Sequence, residues 1–158
     1  MNVFISYSIS SNEQYILNLL AQKMSEKGFS LVAINNPSMW VGTQAPNEIK
    51  NSALFIGLIT KAGPSERTTR VFSEFKLANL YSKPAILLIE NTVSVAPWIK
   101  QYENTIRFNR YYPEQAINQV HDKIAASQNT QSNSNAAAWI LGGIGILALL
   151  SWLSEQKK

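Results

Sequence analysis

The sequence predicts an α/β fold: a flavodoxin-like, five-stranded parallel sheet with helices on both faces. Three observations carry this. Short apolar strand patterns alternate with helical ones along residues 1–127, five strands in all. The third strand pattern, "SALFIGLIT" (52–60), is apolar without alternation, which marks burial on both faces and hence a parallel sheet. At 158 residues the chain holds one domain with its own core and a short appendage, but not two full domains.

The elements follow in order. "VFISY" (3–7) reads as a short buried strand. "SSNEQYILNLLAQKMSEKG" (10–28) follows as an amphipathic helix. It opens on Ser or Asn capping candidates, spaces Ile16, Leu19, Leu20 and Met24 along one face, and closes at Gly28. "FSLVAI" (29–34) completes a β-α-β unit. "NPSMWVGTQAP" (36–46) reads as a long loop and "NEIKN" (47–51) as a short helix before the third strand. "KAGPSE" (61–66) leads into a helix around Glu74, and Pro84 precedes the fourth strand, "AILLIE" (85–90). "SVAPWIKQYEN" (94–104) connects to the strand "TIRFN" (105–109), and "YPEQAINQVHDKIAAS" (112–127) forms the last helix. Ligands of such sheets bind beyond the carboxyl ends of the strands, here the loops after Tyr7, Ile34, Thr60 and Glu90.

Beyond residue 127 the chain changes character. Residues 128–135, "QNTQSNSN", form a polar linker without apolar side chains. Residues 136–153, "AAAWILGGIGILALLSWL", carry no charge and as a helix span about 27 Å, close to a bilayer's hydrocarbon thickness. This predicts a transmembrane helix, with Trp139 and Trp152 at the interfaces and a short tail, 154–158. A hydrophobic helix docked on the domain is the competing reading, against which the linker and the lack of a polar face both count. The N-terminus shows no secretion signal, so the domain is expected in the cytosol. Lys157 and Lys158 alone would orient the helix the other way, but passing "SEQKK" across a membrane is easier than exporting a domain without a signal. The expected localisation is therefore a single-pass membrane protein with its N-terminal domain cytoplasmic. Ala138, Gly142 and Gly145 share one face and permit close helix contact.

Composition removes several function classes. Two of the lysines behind the net charge of +4 are the final residues and the other basic residues are scattered, which is no nucleic-acid footprint. There is no cysteine, hence no disulfide, thiolate nucleophile or thiolate metal ligand. His121 and Asp122 are the only histidine and the only aspartate, so most metal sites and nucleophilic triads are gone, and His121 reads as an exposed helical residue. The turn after the first strand, "SYSISSNE" (6–13), has no glycine and cannot be a dinucleotide-binding turn. A phosphate-binding loop of the NTPase type is missing too. No aspartate precedes residue 122, which excludes a phospho-accepting receiver domain.

Four stretches in order carry a resemblance: "VFISYS" (3–8), the long loop containing Gly42 before "NSALFIGLIT" (51–60), "FSEFKLANLYSKPAILLI" (72–89), and "PWIKQYENTIRF" (97–108). Across nearly all of residues 1–127 the chain resembles a Toll/interleukin receptor (TIR) domain of bacterial type. The resemblance implies an essential glutamate at Glu74 and cleavage of nicotinamide from NAD, the dinucleotide serving as substrate rather than cofactor. A carboxylate suits that chemistry, because breaking an N-glycosidic bond builds positive charge on the ribose. Phe72 or Phe75 would wall the pocket. Around Glu74 the pocket is expected to draw on Tyr7, Ser8, Trp40, Gly42 and Arg70, with no metal. Active relatives usually carry tryptophan four residues before the glutamate; Arg70 stands there and can contact phosphate or stack on a base.

Each of these residues has a plainer reading. Arg70 and Glu74 make a surface i,i+4 pair, Tyr7 is half-buried packing, Trp40 is a packed loop residue, and Trp98 is core. The expected whole is a membrane-anchored TIR effector of prokaryotic immunity that self-assembles and cleaves NAD. Its expected partners are further copies of itself, other TIR or nucleotide-signalling proteins, and membrane lipid, but no nucleic acid. The alternative is a non-enzymatic adaptor or nucleotide-signal sensor acting through the membrane helix.

Overall fold

The computed structural model describes residues 2–33 and 44–129. The strands are β1 (Asn2–Ser8), β2 (Ser30–Ala33), β3 (Leu54–Ile59), β4 (Ala85–Glu90) and β5 (Thr105–Phe108). The helices are α1 (Gln14–Glu26), α2 (Gln44–Asn51), α3 (Ser65–Leu80), α4 (Pro97–Gln101) and α5 (Glu114–Asn129). The strand order is β2-β1-β3-β4-β5, and every neighbouring pair is parallel. The expected five-stranded parallel sheet is thus present. All six residues of β3 and all six of β4 are buried, as their unbroken apolar sequence requires at the centre of a sheet covered twice.

Strand alternation divides the core in two. Val3 and Ile5 of β1 join Ile56 and Leu58 against α1 and α5. Phe4 joins Phe55, Ile59 and Ile89 against α2, α3 and α4. Ser6 and Ser8 lie on the same side of β1 as Phe4, because successive strand residues point to opposite faces. Polar side chains thereby enter the layer under α3.

α3 lies over β1 and β3 and buries Val71, Phe75 and Ala78 at helical spacing. Gly57 permits its close approach: a Cβ there would stand 2.8 Å from Leu87 Cδ2 and 3.0 Å from Val71 Cγ1. Gly57 is also the register partner of Ser6. The helix therefore sits low over the sheet at the level of Ser6, and Glu74 is carried down with it.

Some sequence expectations are corrected. Residues 10–28 are not one helix: Ser11–Glu13 form a 3-10 turn in which Ser10 and Glu13 make a capping box, and α1 follows. Leu17 is buried in place of the expected Leu19, which is only partly covered. α2 takes in Gln44, Ala45 and Pro46 ahead of the expected 47–51, residues the sequence assigned to the loop. Gly28 does close α1, with φ +78° and Phe29 N–H donating back to Met24 O.

Among the described residues no helix is long and apolar enough to cross a membrane. The expected linker is shortened, because Gln128 and Asn129 continue α5; the rest of it (130–135), the expected transmembrane segment 136–153, and the loop residues Trp40 and Gly42 lie outside the described residues.

Candidate active site

Among the described residues three carboxylates are buried, Glu13, Glu74 and Glu90, at 5 %, 5 % and 3 % exposure. Their hydrogen bonding separates structural from chemical roles, since a buried charge without partners is costly. Glu90, at the end of β4, receives Nε and Nη2 of Arg110 at 2.9 and 2.8 Å, Thr92 Oγ1 at 2.6 Å and Lys61 N–H at 2.7 Å. Burial by itself would raise its pKa, but these donors outweigh it and hold the carboxyl down at about 2. Glu13 accepts from Ser10 N–H, Ser10 Oγ and Thr60 Oγ1 through Oε2, while Oε1 faces Arg110 Nη2 at 3.5 Å. These two carboxylates and Arg110 tie together the chain after β1, β3, β4 and β5. A cavity of about 380 Å³ beside them is lined by Lys61, Arg110 and Tyr111 among others, but its carboxylate is already committed.

Glu74 differs. Neither carboxylate oxygen has a hydrogen-bond partner. Burial pushes its pKa from 4.5 up to about 7, against the opposing influence of the Ser6 hydroxyl and the Arg70 charge. Ser6 Oγ lies close enough to favour the carboxylate, yet is itself buried without a well-formed hydrogen bond. Arg70, one turn before Glu74 on α3, reaches Nη2 to Tyr7 O at 3.5 Å. Burial lowers the Arg70 pKa and the Glu74 charge works the other way. A carboxyl that is part protonated near neutrality, lacks a well-formed hydrogen bond and stands beside a cation is an arrangement often found in reacting groups.

The other expected site residues are distributed unevenly. Tyr7 presents its backbone carbonyl to Arg70, while its side chain packs against the cluster on the α1 side. Ser8 is fully buried and structural: its Oγ donates to Pro64 O at 3.0 Å and pairs with Thr68 Oγ1 at 2.8 Å. Gly63 makes this junction possible, because a Cβ there would lie 2.2 Å from Ser8 O. Phe75 is core rather than pocket wall, packed against Phe55, Trp98 and Tyr102, and Phe72 packs on Trp98. Trp98 covers this cluster from a half-buried position. At 5 % exposure Glu74 is no surface partner for Arg70, which removes the exposed-pair reading. His121 is partly exposed on α5 and contacts its neighbour Asp122 at 3.2 Å.

Ser6, which faces Glu74, is a candidate site residue absent from those expected from the sequence. Its signal was the inward alternation Phe4, Ser6, Ser8, which places hydroxyls where apolar residues are the rule.

No protein-family model matches the chain, and no curated protein matches it significantly. Among solved structures it is similar to the Clostridium botulinum CMP N-glycosidase BcmB, with a TM-score of 0.55 and 17 % identity. The match covers 77 % of this chain and 99 % of that one. At that identity the likeness shows a shared fold.

Proposed function

We propose that this chain is a TIR-type hydrolase of the N-glycosidic bond of a ribonucleotide, with Glu74 as its catalytic carboxylate and NAD as the first substrate to test. The observation that carries the reading is the buried carboxyl of Glu74, without hydrogen-bond partners and titrating at about 7. The fold shared with a CMP N-glycosidase supports the same chemical class. The C1′–N bond breaks heterolytically and its electron pair leaves with the base; nicotinamide, cationic in NAD, departs neutral, whereas cytosine from CMP takes up a proton from water as it leaves. Positive charge develops at C1′ and the ring oxygen, where the ionised Glu74 stabilises it in a low-dielectric setting. Water adds its hydroxyl to C1′ and its remaining proton passes to Glu74 or to solvent. Arg70 favours the ionised carboxylate, and in this proposal its guanidinium contacts a phosphate of the substrate.

In the same proposal residues 136–153 anchor the domain in a membrane with the sheet on the cytoplasmic side, and copies associate in that plane at raised effective concentration. The test is NAD and CMP consumption by the clustered full-length protein, beside Glu74→Gln. Base release by the parent and its loss in the variant are expected. Intact nucleotides with clustered parent protein would overturn the hydrolase. Arg70, where active relatives carry tryptophan, favours a second reading, a non-enzymatic adaptor or nucleotide-signal sensor; its cellular effect would survive Glu74→Gln.

A further inference from the structure

Two serines of β1 share one face and one layer, yet meet different fates. Ser8 has two partners, whereas Ser6, 1 % exposed, has none for its hydroxyl. Buried hydroxyls nearly always find a carbonyl or a water, so an orphan calls for an explanation. The group facing Ser6 from α3 is Glu74, whose two oxygens are orphaned as well. The Ser6 hydroxyl stands near enough to the carboxylate to favour its charge, but no well-aligned hydrogen bond forms between them. Three unpartnered polar atoms thus meet in one place, between a strand and a helix held close by Gly57.

Their combined demand is specific. An ionised carboxylate offers two acceptors and a serine hydroxyl adds a donor. A vicinal diol such as that of a ribose matches this set: each of its O–H groups donates to one carboxylate oxygen, and the 2′-hydroxyl oxygen accepts from the serine. We infer that Ser6 is a specificity-determining residue whose hydroxyl, together with the Glu74 carboxylate, reads the 2′- and 3′-hydroxyls of a ribose and so selects ribonucleotides over 2′-deoxyribonucleotides. This rests on the proposed site at Glu74 and names its substrate class. A 2′-deoxy sugar would leave two of the three atoms buried and unpaired, and sites built to bond a hydroxyl reject analogues that lack it.

Because Ser6 Oγ makes no well-aligned hydrogen bond, Ser6→Ala is expected to fold as the parent does; it also removes a hydroxyl that favours the Glu74 carboxylate, so parent and variant are compared at about pH 9, where the carboxyl is ionised in both. The experiment compares base release by the full-length parent and Ser6→Ala on two pairs: CMP with dCMP, and NAD with its analogue 2′-deoxy at the nicotinamide ribose. The parent is expected to favour the ribo substrate about a hundredfold or more. Ser6→Ala should slow the ribo substrate roughly tenfold or more while leaving the deoxy substrate within about twofold. An equal fall on both, or no change on either, overturns the assignment, because a structural role or a trapped water would not distinguish the two sugars. If neither pair is turned over, the hydrolase reading falls by itself and thermal stabilisation by the same nucleotides decides for Ser6. A larger shift with the ribo form, lost in Ser6→Ala, supports it; equal or absent shifts in the parent overturn it.

Discussion

Replacing Glu74 by Gln keeps the side chain's shape and removes its ability to ionise, which turns the site's electrostatics into a measurable stability difference. In the folded chain burial raises the Glu74 pKa from 4.5 to about 7. The folded state therefore holds a proton that the unfolded state releases at lower pH. The stabilisation from this group is complete below the unfolded value and is lost as pH rises through the folded one. The interval of 7 − 4.5 = 2.5 units, at 1.36 kcal/mol each, corresponds to about 3 kcal/mol. The amide introduced by Glu74→Gln would stay neutral throughout and show no such loss. Other titrating groups occur in both proteins and cancel to first order, as does any fixed cost of the amide. Urea unfolding of the full chain in non-ionic detergent, at steps between about pH 5 and about pH 9, gives the two stability curves. The gap between them should move in favour of the variant by most of that amount. Curves that stay parallel within about 0.5 kcal/mol would mean that Glu74 titrates like a solvated carboxylate, and the argument for a reacting group would fail with it.

Three further outcomes follow from the same geometry. Base release by the parent should rise with pH and level off above a midpoint near 7, as Glu74 ionises; Arg70→Gln, which removes a charge favouring the carboxylate, should move that midpoint upward, and an unmoved pH–rate profile would refute the coupling. Gly57→Ala should lower the unfolding free energy by about 1–3 kcal/mol, because the added methyl meets Leu87 and Val71, and should cut turnover as α3 is lifted from Ser6; denaturation beside the activity assay checks both. Phe75→Ala should cost about 3–5 kcal/mol by emptying the space between Phe55, Trp98 and Tyr102, and a loss below about 1 kcal/mol would show that this cluster is not core.

The sequence by itself determined the sheet. Unbroken apolar runs at 54–59 and 85–90 demand cover on both faces, and the helical spacing between the runs supplies it, so strand number, parallel pairing and most element boundaries follow from hydrophobic periodicity alone. Periodicity also placed Glu74 on a helix, but it could not say which way that helix turned. Spacing with Arg70 was equally compatible with a surface pair; the burial of Glu74 is decided by how low α3 sits on Gly57, a contact between residues far apart in the chain. Likewise, Glu13, Glu74 and Glu90 are three similar glutamates in the sequence. Only the tertiary structure gives Glu13 and Glu90 partners from four different chain segments and leaves Glu74 without a well-formed hydrogen bond. Local pattern fixes which faces are apolar, whereas the state of a buried carboxyl depends on the donors that distant segments bring to it, and a linear spacing carries no record of them.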